Sequence, residues 1–235
     1  VVAFRDVAHT IYECPLDLRR DKLDRLVSDR LGLDSVTPDL EEWRRFVDRI
    51  INPTHEVNIA VVGKYIELND AYKSIYESLT HAGAHHDTRV TVHKVDAEKI
   101  AEEGPATLLK DMDGILIPGG FGVAKNFCTF AFKGSEGEAS PAIQTTIKDF
   151  YDSKKPIGAI CIAPALLSLV LGENGIEVTI GNDEATAKEV EKTGAKHIIC
   201  GKDEFHLDQK NKIATTPAYM YDGAPISGVA SGIEK

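Results

Sequence analysis

Apolar positions along this chain follow two rhythms, and the change falls near residue 56. In the first stretch Leu16, Leu23, Leu26, Val27 and Leu31 recur at helical spacing among Arg and Asp residues. A second stripe, Leu40, Trp43, Phe46, Val47, Ile50 and Ile51, predicts an amphipathic helix. Thr37 is placed to cap it, Pro38 to take its first position, and Asn52-Pro53 to stop it. Residues 1–55 therefore read as a helical linker or appendage, with Trp43 as a core anchor.

From Val57 the pattern alternates between short apolar runs and helical stripes. Val57–Val62, Val90–Val95, Gly114–Pro118 and Pro156–Ile160 predict strands, with further strands near Val178, Ile198 and Phe205. Between them fall helices at Asp70–Ala82, with Asp70 as its cap, Ala106–Leu109, Ile143–Tyr151, Ile162–Leu171 and Ala185–Thr193. Asp208–Asn211 reads as a hairpin turn into Ile213–Thr216. This rhythm predicts one α/β domain over 56–235, a doubly wound and mostly parallel sheet with helices on both faces. In such sheets ligands sit beyond the carboxyl ends of the strands. Gly119–Gly122 and Cys161 both fall at strand ends, so one crevice can hold both.

Cys161 lies on a tight strand-to-helix turn, and Pro164 is tolerated in the first turn of the helix that follows. A sulfur there faces the free N–H groups of a helix start, which favour a thiolate and can hold a developing oxyanion. A free cysteine is also a common space-filling core residue. The elbow position favours the nucleophile. Gly119–Gly122 is either a tight turn needing positive φ or the rim of the pocket.

Composition narrows the function classes. The 235 residues carry a formal net charge of -10, which argues against nucleic acid or an anionic membrane as the main partner. No apolar run approaches the roughly 20 residues that span a bilayer, and no signal-peptide pattern opens the chain. Cys14, Cys128, Cys161 and Cys200 form no CxxC or Cys/His cluster, so a reduced, cytoplasmic protein without structural zinc is the simplest reading. The start at Val1 reads as a piece of something longer. His81, His85 and His86 beside Asp87 read as a solvated loop rather than a metal site. His206 reads as structural, and Glu136 and Glu138 as a solvated loop.

Two family resemblances meet on this chain. Ile11-Tyr-Glu-Cys-Pro-Leu, Arg30-Leu-Gly-Leu, the long run from Ile59 to Ile75, and Asp113–Gly122 resemble the linker and glutaminase domain of CTP synthase. Residues 113–235 resemble the ElbB-like isoprenoid (enhancing lycopene) biosynthesis proteins of the PfpI-like branch. That likeness rests on Pro118–Asn126, Cys161-Ile-Ala-Pro-Ala, Val178-Thr-Ile-Gly and Asn211–Met220. Both resemblances imply the class I glutamine-amidotransferase-like, flavodoxin-like fold, and they imply a crossover between two parents near residues 118–122. CTP synthase glutaminases are expected to carry a G-I-C-L-G-M-Q-like nucleophile segment and a late H-P-E motif. This chain has Gly158-Ala-Ile-Cys161-Ile-Ala-Pro instead, and His197 and His206 lie in no such motif.

The resemblances imply Cys161 as nucleophile, the N–H groups of Gly120 and Ile162 as oxyanion donors, and a substrate surface around Gly119, Phe121, Gly122 and Asn126. PfpI-like proteins pair the cysteine with an acidic residue near the first strand–helix turn, which here offers Glu67 or Asp70. No cofactor or metal is implied, and the expected partner is a small molecule, with a homo-oligomer left open. Three functions follow as expectations. The first is a PfpI/ElbB-like activity on small carbonyl compounds such as glyoxals. The second is glutamine hydrolysis feeding CTP synthesis, and the third is a catalytically silent hybrid of the two folds.

Overall fold

The computed structural model describes residues 2, 5–34, 37–221 and 223–234. The chain divides into two compact units, one formed by Val1–Glu56 with Thr80–Arg89, the other by Val57–Leu79 with Val90–Lys235.

In the first unit a capping box opens the helices. The Thr10 hydroxyl accepts from the Tyr12 N–H, and Glu13 Oε2 accepts from the Thr10 N–H at 2.9 Å. Helices α1 (Cys14–Arg20), α2 (Leu23–Leu31) and α3 (Glu41–Ile51) follow. The predicted stripe on α3 is real, but its predicted start is not. Leu40 has non-helical angles (φ -115, ψ 17), and the carboxylate of Asp39, not Thr37, accepts the Glu41 N–H at 2.9 Å. Trp43 Nε1 donates to the Tyr12 carbonyl at 2.8 Å, and the Tyr12 ring meets Phe46 edge-on with centroids 5.2 Å apart. The Tyr12 hydroxyl pairs with His81 Nε2 at 2.6 Å. His81 and His85 are thus helical, not in a loop, because α4 (Lys73–His85) runs further than its apolar stripe predicts. Only His86 and Asp87 fall in the turn beyond it.

The sheet of the second unit explains where the site lies. Its strands are β1 (His55–Gly63), β2 (Thr88–Asp96), β3 (Gly114–Ile117), β4 (Ile157–Ile160), β7 (His206–Asp208) and β8 (Ile213–Thr216), in the order β2-β1-β3-β4-β8-β7. Strands β1, β3, β4 and β8 are mutually parallel, with Ile117 opposite Ala159 and Ile160 opposite Thr216. Strand β7 runs antiparallel along the edge, joined to β8 by the predicted Asp208–Asn211 turn, in which Asp208 accepts from the Asn211 backbone at 3.0 Å. A separate parallel pair holds β5 (Glu177–Val178) and β6 (Lys196–His197). The strand expected near Ile198 ends one residue early. The Ile198 N–H still reaches the Val178 carbonyl at 2.8 Å, but β5 offers no further ladder.

The remaining helices are α5 (Ala97–Glu103), α6 (Pro105–Leu108), α7 (Phe130–Lys133), α8 (Pro141–Asp152), α9 (Ala163–Leu171), α10 (Glu184–Lys192) and α11 (Ile226–Glu234). Helix α5 was not evident in the apolar pattern; Asp96 caps it by accepting the Glu98 N–H at 2.8 Å. Helix α9 is buried nearly all round, as its continuous apolar run requires, and Ser168 satisfies its hydroxyl on the Ala165 carbonyl. Ile147, Leu166, Leu167, Ile176 and Ile213 sit fully buried in the main core cluster. The four cysteines are free thiols. Among the described residues no helix is long and apolar enough to cross a membrane, and no group of three His, Cys, Asp or Glu side chains is placed to hold a metal ion.

Candidate functional site

Cys161 stands between the end of β4 and the start of α9, in the left-handed region at φ +63. A side chain rarely adopts that conformation, and its usual cost is about 1–3 kcal/mol. Two backbone anchors hold it there. The Cys161 N–H donates to the Thr216 carbonyl of β8 at 2.9 Å, and Gly119 lies under the side chain. A Cβ on Gly119 would stand 2.4 Å from Cys161 Cβ and 2.7 Å from the Ile160 carbonyl, so only glycine fits that close approach.

Three backbone N–H groups point at the sulfur, those of Gly120, Ile162 and Tyr219. They come from the ends of three neighbouring strands: Gly120 follows β3, Ile162 follows β4, and Tyr219 lies in the 3-10 turn Ala218–Met220 after β8. Gly120 reaches its place with φ +110. Donors of this kind favour a thiolate. Burial works the other way and is the larger effect, so the Cys161 thiol is pushed up from its ordinary range. The resting sulfur therefore holds its proton more tightly than a free thiol does, contrary to what the elbow position alone implies. Its surroundings supply donors, and removal of its proton calls for an acceptor.

The two histidines late in the chain are engaged elsewhere. His197 Nε2 accepts from the Ile180 N–H at 3.3 Å, and burial pushes its pKa down, which favours the neutral ring. His206 Nε2 lies 3.1 Å from Glu177 Oε2, and Lys196 shares that carboxylate at 2.7 Å. The carboxylates of the β1–α4 segment are both exposed. Glu67 follows the buried Ile66, and Asp70 sits in the 3-10 turn Asn69–Ala71 rather than capping α4, which starts at Lys73. Ile66 and Tyr72, which flank them, belong to the smaller core cluster against which Cys161 packs. Tyr72 is drawn in because Gly63 lacks a side chain: a Cβ there would meet the Tyr72 hydroxyl at 2.7 Å.

A cleft of about 750 Å³ opens on the sulfur. Cys161, Ile162, Gly120 and Phe121 line it, whereas Asn126 and Gly122 are not among its lining residues. Asn126 is exposed on a π-helical turn, Val123–Phe127. The sequence did not point to Phe130, Phe132, Lys133, Glu189 or Met220, which also line it, or to the Tyr219 N–H. Tyr219 and Met220 carried one legible signal, their place just after a strand end. The aromatic wall carried none, because α7 is four residues long and has no periodicity to read.

Residues 67–231 match the family glutamine amidotransferase class-I. The CTP synthase of Methanocaldococcus jannaschii is 51% identical over 128 residues, covering 52% of this chain and 24% of that protein. The CTP synthase of Bacillus licheniformis is 38% identical over 192 residues, 82% of this chain and 32% of its own length. The chain thus spans a quarter to a third of these curated relatives. Among solved structures, an isoprenoid biosynthesis protein with an amidotransferase-like domain from Ehrlichia chaffeensis superposes with TM-score 0.56 at 25% identity. That match covers 76% of this chain and 95% of the other. Both resemblances read from the sequence are therefore present, on a mostly parallel sheet with helices on both faces.

Proposed function

We propose that this chain, which belongs to the class-I glutamine amidotransferase family, uses Cys161 as a nucleophile toward small carbonyl compounds. One observation carries the reading: a strained cysteine at φ +63 that lines a cleft and whose sulfur has the backbone N–H groups of Gly120, Ile162 and Tyr219 as donors. Strain at such a position is expected where it serves chemistry. With an α-oxoaldehyde, sulfur adds to the aldehyde carbon, the S–C bond forms, and the C=O π pair moves onto oxygen. The N–H groups of Gly120 and Ile162, which face the resting sulfur, then serve the new oxyanion. The thiol proton passes to a carboxylate, for which Glu67 and Asp70 are the candidates, and from there to the oxygen, completing a thiohemiacetal. Phe121 forms the substrate rim in this reading, whereas Gly119 packs against Cys161 and, like Gly122 and Asn126, is not among the residues lining the cleft.

The two-parent reading, with a crossover near residues 118–122 and a linker over 1–55, belongs to this proposal. A second function is favoured by the CTP synthase likeness: glutamine hydrolysis, in which sulfur attacks the side-chain amide, a thioester forms and ammonia leaves. His197 and His206 are both held by other partners, which weakens it. A catalytically silent hybrid is the outcome if Cys161 proves unreactive. Methylglyoxal turnover to a 2-hydroxy acid, measured beside a Cys161→Ala control, tests the first reading. Saturable labelling of Cys161 by a glutamine analogue, with no aldehyde turnover, would replace it by the second.

A further inference from the structure

The cleft above Cys161 contains more apolar surface than a two- or three-carbon aldehyde can use. Phe121 and Phe132 are 71% and 67% exposed, yet both line a concavity, together with Phe130 and Met220. Large rings left wet beside a nucleophile gain from being covered by an apolar group. The acidic part of the wall is already engaged. The Glu189 carboxylate accepts from Lys192 Nζ at 2.5 Å and from the Ser135 N–H and hydroxyl at 2.8 Å each. Those contacts, Lys192 foremost, lower its pKa to about 2. A free amino acid would need a carboxylate for its ammonium group, and Glu189, the one acid among the described residues lining this cleft, is already engaged.

Resting on the nucleophile reading above, we infer that the site selects carbonyl compounds bearing an aryl or comparably bulky apolar substituent over short aliphatic ones. The substituent covers Phe121 and Phe132 while the carbonyl carbon stands at Cys161. Glutamine-like amides, whose ammonium group finds no free acid among the described residues of this cleft, are selected against.

The test uses two α-bromoketones, 2-bromoacetophenone and bromoacetone, each of which alkylates a thiol: the S–C bond forms and bromide leaves. Labelling of Cys161 is followed by peptide mass analysis, and each rate is divided by that of glutathione with the same reagent. The expected result is a normalised preference for the aryl reagent of about tenfold or more, the scale on which apolar pockets discriminate. That preference falls in Phe121→Ser and Phe132→Ser, whose side chains are exposed. A normalised ratio near one, or a preference that both substitutions leave unchanged, overturns the substrate class while the nucleophile stands. If neither reagent labels Cys161, the nucleophile reading falls and this inference falls with it.

Discussion

Gly119 and Cys161 are in contact because Gly119 carries no side chain. The sulfur-bearing Cβ occupies the space that a Gly119 methyl would fill, at 2.4 Å. Gly119→Ala is expected to force the elbow off its Thr216 anchor. Overpacking of this kind costs about 1–3 kcal/mol. Urea unfolding should register that loss, and Cys161 alkylation should slow with it. An alanine variant with unchanged stability and labelling would show that the elbow relaxes freely.

The left-handed backbone of Cys161 makes a sharper comparison. Glycine adopts φ +63 without penalty, whereas alanine does not. Cys161→Gly should therefore be more stable than Cys161→Ala by about 1 kcal/mol in paired denaturant curves. Equal stabilities would mean that the elbow flattens once the sulfur is gone.

Burial pushes the Cys161 thiol up, more than its three backbone donors bring it down. Its alkylation rate should rise with a midpoint above the ordinary ~8.5 of a free thiol. The folded state holds the proton more tightly than the unfolded chain does. Its stabilising contribution is whole below the unfolded pKa and disappears as pH rises through the folded one. Cys161→Ala should thus flatten the alkaline fall in stability. A midpoint well below 8 would place an unrecognised acceptor or cation at the sulfur.

Glu189 holds the turn that follows α7 through Ser135, and Lys192 foremost lowers its pKa to about 2. A depressed carboxylate contributes above its unfolded pKa and is lost as pH falls through the folded value. Glu189→Gln should therefore lose stability at pH 7 yet show a shallower decline between roughly pH 4.5 and 2. Parallel acid limbs in the two proteins would count against the assignment.

Trp43 is the chain's one tryptophan, so its fluorescence reports on the first unit alone. Tyr12→Phe removes the 2.6 Å bond to His81 while keeping the ring packed on Phe46. A loss of about 1 kcal/mol in the fluorescence-detected transition is expected. Circular dichroism of the sheet, followed in the same titration, shows whether the second unit moves with it.

The strands of the buried sheet were legible because parallel strands covered on both faces are written as unbroken apolar runs, as in Gly114–Ile117 and Ile157–Ile160. The elbow was legible for the same reason, since a cysteine stands where one such run gives way to a helix. Helix starts were less so. Thr37 and Asp70 have the chemistry of caps, but a local competitor decided each case: the Asp39 carboxylate in one, a separate 3-10 turn at Asn69–Ala71 in the other. The protonation of Cys161 was not legible at all. It depends on how much water reaches the sulfur, which the order of residues does not record. The aromatic wall was hidden likewise, because Phe121, Phe130 and Phe132 meet Met220 only after the chain has passed through α8, β4 and β8.

The stretch from Ile213 to Met220 makes two grips on one residue. Thr216 holds the backbone of Cys161, and Tyr219 reaches its sulfur three positions later. For anyone exchanging segments between related proteins, those eight residues form one indivisible cassette. A graft joined inside it, or a single deletion between Thr216 and Tyr219, would put the two grips out of step, and a splice on either side of it would carry the nucleophile's setting across whole.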